Sequence, residues 1–343
     1  MERALPADLR TLTSFRFFAA FWVFLFHLRS RIEYDQNWFW SVIENGARGV
    51  DFFFVLSGFV IFHVYEPKIS DGTFSFRRYV VKRFARIYPL HAVMLLVFVA
   101  LSILRGSGAD GIFASVLLFH AWGVTDGLVL NGPSWTLSAE MFAYLLFGVL
   151  VNRSPGTSAI VAALCVSAIA AHFIALGVGK SAFIHLTWDY GIVRIVPSFI
   201  LGMLLRRLTP IVPAAFAAIM GFAGIVALLI LASAPAGYEV FLPFSLLIIS
   251  GAKLSDRRNL PTNSKLFVYL GEISYSTYMI HIFVIAVWFD YLPKLGIAPL
   301  PWPAICVMVL ACSVASYHVI ELPARRWING LGRNRSVNLG LTQ

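Results

Sequence analysis

The stretch LTSFRFFAAFWVFLFHLR, residues 12–29, decides the class of fold. It is long and apolar enough to cross a bilayer, because a spanning helix needs about 20 predominantly apolar residues. It nevertheless carries Arg16 and His27. An ionisable side chain inside a membrane segment costs about 2.5–3.5 kcal/mol on insertion scales and marks a functional site by default. This segment therefore predicts both a membrane helix and a site on it.

The rest of the chain has the composition of a polytopic membrane protein. Of its 343 residues, 59% are hydrophobic and 13% are charged, and the mean hydropathy is +0.79. Soluble domains contain about 25% charged residues, so these values exclude a soluble enzyme and a disordered protein. The net charge of +10 comes from short basic clusters between apolar runs. Such clusters indicate membrane topology rather than a nucleic-acid partner.

Eleven apolar segments are candidates for membrane crossing. They are residues 12–29, 46–65, 86–105, 111–124, 138–152, 158–177, 190–206, 211–233, 238–253, 268–290 and 301–322. If all strong basic clusters are cytoplasmic, one segment between the cluster ending at Arg86 and that at Arg206 does not cross. The weakest is 111–124, which we predict to be re-entrant or interfacial on the outer side.

We therefore expect an all-α fold, a polytopic membrane helix bundle of about ten transmembrane helices plus a re-entrant segment. Residues 1–330 are predicted to form a single membrane domain, and residues 331–343 a short cytoplasmic tail. Both termini are expected in the cytoplasm, because the basic clusters are placed there.

Arg16 and His27 are eleven residues apart, which is about 16 Å along a helix and close to three full turns. Both side chains should project from nearly the same face, Arg16 near the cytoplasmic mouth and His27 past the midplane. That face would carry a cation at one end and a general base at the other. The alternative is a snorkelling arginine and a structural histidine. Asp35, in the following loop, could pair with His27 or be a solvated loop charge.

Two further motifs carry charges at helix ends. In RRYVVKRFARIYP, residues 77–89, Arg83 and Arg86 share one helical face and suit a phosphate-bearing ligand; contact with anionic lipid is the alternative. PSWTLSAE, residues 133–140, opens a helix. Its Glu140, expected at the outer membrane level of His27, could orient an acceptor hydroxyl or an imidazole. The remaining histidines lack metal-ligand spacing, so no metal site is expected.

Together these stretches resemble the acyltransferase-3 family of integral membrane acyltransferases. The matching motifs follow one another along nearly the whole chain: Arg16 to His27, GVDFFFVLSGF (49–59), RFARIYP (83–89), SWTLSAE (134–140), ISYSTY (273–278) and ELP (321–323). The common Asp-Gly-Leu-Arg lead into the first motif is Thr13-Ser14-Phe15-Arg16 here.

The resemblance implies an O-acyltransferase of the EC 2.3.1 type, dependent on acetyl-CoA, that modifies a sugar hydroxyl of an exported or envelope glycan. By the same carry-over the site residues are His27 and Glu140 for catalysis, Arg16, Arg83 and Arg86 for the CoA phosphates, and Ser134 and Trp135 for the substrate. Asp35 is added as a further substrate-binding candidate. Acyl-CoA is expected as a co-substrate, with no permanently bound cofactor.

The expected partners are acyl-CoA, a glycan or lipid-linked saccharide, and membrane lipids, in the cytoplasmic membrane of the cell. His27 would act as a base on the acceptor hydroxyl or as a covalent acetyl carrier, and the sequence leaves both open. A neutral imidazole is required, so activity should fall at low pH. The alternative function is a transporter or flippase of lipid-linked glycans without acyl transfer.

Overall fold

The structure is a computed structural model that describes residues 5–6, 8–108, 110–151, 154–231, 237–298 and 301–338, without the side chains of 332–338. Every regular element in this part of the chain is helical, which confirms the all-α prediction. The α-helices are α1 Arg10–Leu28, α2 Trp38–Glu44, α3 Gly49–Ser70, α4 Phe76–Leu104, α5 Ile112–Val116, α6 Trp135–Leu150, α7 Thr157–Gly177, α8 Gly191–Leu208, α9 Ala217–Leu231, α10 Phe241–Leu254, α11 Lys265–Ala286, α12 Trp302–Ser316 and α13 Leu322–Asn338.

Seven helical stretches of the described chain are long and apolar enough to cross a membrane. They are Arg10–Arg31, Gly46–Ser70, Phe76–Leu104, Thr157–Gly177, Ala214–Leu231, Lys265–Leu295 and Trp302–Leu331. The protein is therefore an integral membrane protein. Three shorter helices, α6, α8 and α10, match further predicted segments, and the total of about ten crossings stays a prediction.

The predicted segment 111–124 contains only the five-residue helix α5, followed by turns. A helix of this length cannot cross a bilayer. The predicted tail, residues 331–343, begins within α13, which continues to Asn338; residues 339–343 lie outside the described residues.

One helix begins well before its predicted segment. α4 starts at Phe76, with the Ser75 side chain accepting a hydrogen bond from the Arg78 backbone N–H at 3.5 Å. Hydropathy detects only the apolar part of a helix from residue 86 onward, whereas its basic first turns have ordinary helix propensity. α4 therefore includes Arg83 and Arg86, as their predicted common face requires.

The chain divides into two compact units. The first comprises Met1–Pro67, Ser154–Leu186 and Val193–Tyr278, and the second Lys68–Arg153, Thr187–Ile192 and Met279–Gln343. The core of the first unit packs α1, α3 and α10 together through buried apolar side chains that include Leu12, Phe52 and Phe244. In the second unit, the Tyr79 ring of α4 contacts Phe147 of α6, with ring centroids 5.7 Å apart.

In the first unit, three glycines allow neighbouring segments to approach α1 closely. A Cβ on Gly271 of α11 would collide with the Thr13 carbonyl oxygen, and one on Gly46 with the Trp22 carbonyl oxygen. A Cβ on Gly49 of α3 would lie 2.7 Å from the Ala19 carbonyl oxygen. Small residues of this kind let helix backbones meet in membrane proteins. They fix α1 at three levels along its length.

We expect Gly271→Ala to destabilise the protein by about 1–3 kcal/mol or more, because the added methyl group overpacks a backbone contact. Thermal unfolding of the detergent-purified protein measures this effect. Gly177→Ala is the matched control, since a Cβ there meets nothing within 4 Å. Equal unfolding temperatures for the two variants would show that α11 does not depend on this close approach.

Candidate active site

The predicted site residues form two groups. Arg16, His27 and Asp35 belong to the first unit, and the remaining candidates to the second. The second group consists of Arg83, Arg86, Ser134, Trp135 and Glu140.

His27 lies in the last turn of α1, which is unbroken from Arg10 to Leu28. Its Nδ1 is 2.9 Å from the Val23 carbonyl oxygen one turn earlier. A carbonyl only accepts hydrogen bonds, so Nδ1 carries the proton, and a neutral ring then has its lone pair on Nε2. The ring also packs edge-on against Phe26, with centroids 5.0 Å apart. These two contacts fix both the tautomer and the orientation that a general base needs.

Arg16 and His27 lie on the same continuous helix, as predicted. Their spacing of about three turns puts them on nearly one face of α1. Asp35 lies beyond the end of α1, in an extended segment, and is exposed to solvent.

The sequence did not predict a buried ion pair in the first unit. Asp51 of α3 and Arg194 of α8 form a two-pronged pair, with Nε to Oδ1 at 2.9 Å and an amino group to Oδ2 at 2.8 Å. Both residues are less than 9% exposed, and Arg194 also donates to the Leu186 carbonyl oxygen. Paired donors and acceptors of this geometry reduce the cost of burying charge. Asp51 of the GVDFFFVLSGF motif thus holds α3 against α8.

In the second unit, Tyr144 links Glu140 to Arg83. The Tyr144 hydroxyl donates a hydrogen bond to Glu140 one turn earlier on α6. The Arg83 guanidinium lies over the Tyr144 ring, 5.7 Å from its centroid. The carboxylate is therefore only about one helical turn from the level of Arg83. This differs from the expectation that Arg83 and Glu140 stand near opposite membrane faces, because α6 packs against the basic first half of α4.

Arg86 forms an ion pair with Glu321, which is 1% exposed, and Arg325 lies 3.9 Å from the same carboxylate. Glu321 ends a π-helical turn, Tyr317–Glu321, between α12 and α13. Such turns are frequent at functional sites. The ion pair joins two motifs that are 235 residues apart in the sequence.

The serines of the SWTLSAE motif bind the preceding loop. The Ser134 hydroxyl is 3.1 Å from His120 Nε2. Ser138, one turn further on, accepts from the Ala121 N–H at 3.2 Å and donates to the Leu118 carbonyl oxygen at 2.6 Å. Trp135 is also buried, at 6% exposure. These contacts anchor the start of α6, from which Glu140 projects.

Two buried histidines that no sequence pattern indicated as site residues also lie in this region. His91 and His120 are both buried, and their rings stack with centroids 6.0 Å apart. His91 Nε2 is 2.9 Å from the Ser115 carbonyl oxygen. No spacing rule joins these residues, because the chain turns between α5 and α6. Tyr144, in contrast, was accessible to sequence reasoning, since it lies four residues after Glu140 on one helix face.

Comparison with known families identifies the chain. A family model described as an acyltransferase domain, acyltransferase 3, matches residues 10–318. The chain belongs to the acyltransferase-3 family. The resemblance predicted from the motifs is thereby confirmed, and the protein is an acyltransferase of the membrane.

Three named relatives share this similarity. The acyltransferase MdmB of Streptomyces mycarofaciens is 28% identical over 96% of this chain and 94% of its own length. The exopolysaccharide production protein ExoZ of Rhizobium meliloti is 25% identical over 86% of this chain and 93% of its own. The peptidoglycan O-acetyltransferase OatA of Listeria monocytogenes is 29% identical over 34% of this chain and 21% of its own. No solved structure matches the chain significantly.

The ion pair between Arg86 and Glu321 leads to a stability prediction for Arg86→Ala. Removing Arg86 takes its cation away from the buried Glu321 carboxylate, and breaking a buried pair in this way costs about 3–5 kcal/mol. We expect a lower thermal unfolding temperature for Arg86→Ala, partly restored when Glu321→Gln also removes the negative charge. Arg78→Ala, an exposed change on the same helix, is the control. If Arg86→Ala unfolds at the same temperature as Arg78→Ala, the ion pair is not a stabilising contact.

A second prediction concerns pH. Burial lowers the pKa of His120, which lies outside the seven candidate spans, below its ordinary value of 6.5. Below that pH the unfolded chain binds a proton that the folded chain excludes, so stability falls as the pH drops from about 6.5. The slope from one group is at most about 1.4 kcal/mol per pH unit.

We expect His120→Gln to flatten the fall in unfolding temperature between about pH 7 and pH 5, because the variant has no proton to take up at this position. The exposed His318→Gln serves as the control. An unchanged pH dependence in His120→Gln would rule out His120 as the group that titrates.

Proposed function

We propose that the protein transfers an acyl group, acetyl in the simplest case, from acyl-CoA to a hydroxyl of an exported or envelope glycan. Family membership supports the acyl transfer. The printed names of the relatives OatA and ExoZ, which refer to peptidoglycan O-acetylation and exopolysaccharide production, support a glycan acceptor. The protein would lie in the cytoplasmic membrane with both termini inside, where acyl-CoA is made.

The observation that carries this proposal is the geometry of His27. Its Nδ1–H is held by the Val23 carbonyl, so Nε2 is the basic atom. In the proposed step, Nε2 takes the proton of the acceptor hydroxyl while the hydroxyl oxygen attacks the thioester carbonyl. The C–S bond breaks, the CoA thiolate leaves, and the proton on Nε2 passes to that sulfur. An ester is formed and His27 returns to its neutral form.

The donor would be held by arginines. Arg16 lies about three turns before His27 on α1, a spacing that suits an extended thiol arm reaching from an anionic head group to the base. Arg83 and Arg86 are assigned to the CoA phosphates by family resemblance. The pairing with Glu321 orients Arg86, and a guanidinium has five N–H donors, so the same side chain is also able to bind a phosphate.

The acceptor would be bound by the Glu140 region. Glu140 accepts a hydrogen bond from Tyr144, and a carboxyl group held in this way could orient a sugar hydroxyl. Because Ser134 and Trp135 are buried and tied to neighbouring residues, we propose that they position Glu140 rather than contact the sugar directly. Asp35, exposed after α1, remains a proposed contact for the glycan.

The test is label transfer in inside-out membrane vesicles from a host that makes the native glycan. Radiolabelled acetyl-CoA is added, and label is followed into lipid-linked and polymeric glycan. We expect wild type to label one of these fractions and His27→Ala to lose at least about 100-fold in rate, the typical contribution of a general base.

His318→Ala, which removes an exposed histidine, is the matched control and should keep the wild-type rate. Undiminished labelling by a normally expressed His27→Ala protein would exclude His27 as the base. Absence of label in wild type, with the glycan present, would exclude acetyl-CoA as donor and favour another acyl donor or the transporter function.

A further inference from the structure

A pair of exposed aromatic rings lies on the segment that joins the first two candidate membrane spans. Residues 32–45 connect Arg10–Arg31 to Gly46–Ser70, so they lie at a membrane surface rather than within the bilayer. In this segment α2 presents Trp38 and Phe39, whose exposed fractions are 56% and 49%. The proposed transfer step gives neither ring a role.

The segment is packed against the end of α1 that carries His27, and both belong to the first unit. The Trp22 indole N–H of α1 donates to the Val42 carbonyl oxygen of α2 at 2.8 Å. Just after α2, a Cβ on Gly46 would lie 2.8 Å from the Phe26 Cβ. The Phe26 ring in turn packs edge-on against His27. These contacts hold α2 beside the last turns of α1, at the membrane surface nearer to His27.

Polar and aromatic contacts order the segment internally. The Tyr34 hydroxyl donates to Glu44 Oε1 at 3.0 Å, and the Gln36 side-chain amide donates to Oε2 of the same carboxylate at 3.1 Å. The Tyr34 ring stacks on Trp40, with centroids 4.2 Å apart. The exposed rings therefore project from an ordered support, which lowers the entropy cost of binding a ligand there.

The charge of the segment distinguishes a saccharide from a membrane surface as its partner. Residues 32–45 contain Glu33, Asp35 and Glu44 and no lysine, arginine or histidine. Helices that lie on a membrane surface are rich in lysine and arginine on their polar face, and three carboxylates repel anionic head groups. Sugar hydroxyl groups, in contrast, donate hydrogen bonds to carboxylates. The C–H groups of a sugar ring also pack against the negative face of an aromatic ring.

We propose that Trp38 and Phe39, together with the exposed Asp35, form a subsite for an uncharged sugar ring of the acceptor glycan. The inference rests on the proposed acyl transfer and adds to it where the glycan is held. It also adds a selectivity, because a carboxylate or phosphate on that ring would be repelled by the acidic side chains of the segment.

The test uses the full protein in nanodiscs and the deacylated envelope polysaccharide purified from the host. Hydroxyl radicals formed in water modify exposed side chains, and mass spectrometry measures the modification of each tryptophan peptide. We expect Trp38 to be modified in the protein alone and to be protected several-fold by saturating polysaccharide. Trp327 of α13, which is 68% exposed, is the matched control for radicals consumed by the sugar and should show no specific protection.

Kinetics in the same nanodiscs, with radiolabelled acetyl-CoA, give a second readout. Trp38→Ala should raise the KM for the polysaccharide about tenfold, the scale of one aromatic contact. It should leave kcat and the KM for acetyl-CoA unchanged, because the ring would touch neither the thioester nor CoA. Trp38→Phe should keep most of the affinity, and Trp327→Ala should keep the wild-type constants.

Equal constants for Trp38→Ala and Trp327→Ala, or no protection of Trp38, would overturn the subsite. A Trp38 side chain that the radicals never modify would lie in lipid and would overturn it as well. Equal protection by polygalacturonate, an acidic polymer, would overturn the preference for an uncharged sugar. If wild type transfers no label, the proposed function fails, whereas the protection of Trp38 still decides whether the subsite exists.

Discussion

The close approach of backbones to α1 is the constraint on which the rest of the first unit depends. Gly46, Gly49 and Gly271 bring two segments, the stretch Gly46–Ser70 and α11, against three carbonyl oxygens of α1. Lipid offers no hydrophobic force between helices, so close packing of this kind is a main source of their association. A helix held at three levels cannot rotate freely. The face that carries Arg16 and His27 is thereby fixed, and the Val23 carbonyl then fixes the His27 ring on that face.

Internal pairing explains how the protein tolerates charged side chains in its buried interior. Asp51 with Arg194, and Glu321 with Arg86, each supply opposite charge inside one unit. Breaking such pairs is costly even when forming them gains little. They also connect segments that are far apart in sequence, because the two partners are 143 residues apart in one pair and 235 in the other. The charges of several family motifs therefore have a structural role besides any role in chemistry.

The sequence predicts the helices well and the contacts between them poorly. Hydropathy located the long apolar helices, since apolar runs of spanning length have few alternatives in a membrane, but it did not find α2 or most of α13. It missed the first turns of α4, where basic residues continue the helix outside the apolar window. Tyr144 was within reach of the i to i+4 rule, whereas the contacts of His120 with Ser134 and of Asp51 with Arg194 depend on tertiary packing. A periodic pattern carries no information about such partners.

In the SWTLSAE segment, the serine and glutamate side chains make different kinds of contact. Ser134 and Ser138, four residues apart, face the same loop and use their hydroxyl groups on His120, Leu118 and Ala121. Breaking the buried hydrogen bonds of such side chains is costly. A buried polar group without a partner has lost its hydrogen bonds to water and has no hydrogen bond within the protein to replace them. Glu140 differs, since its partner Tyr144 is on its own helix and reaches toward the Arg83 cation. Within this motif, the serine hydroxyl groups thus hold the start of α6 against the preceding loop, and the Glu140 carboxylate is joined to Tyr144 beside Arg83.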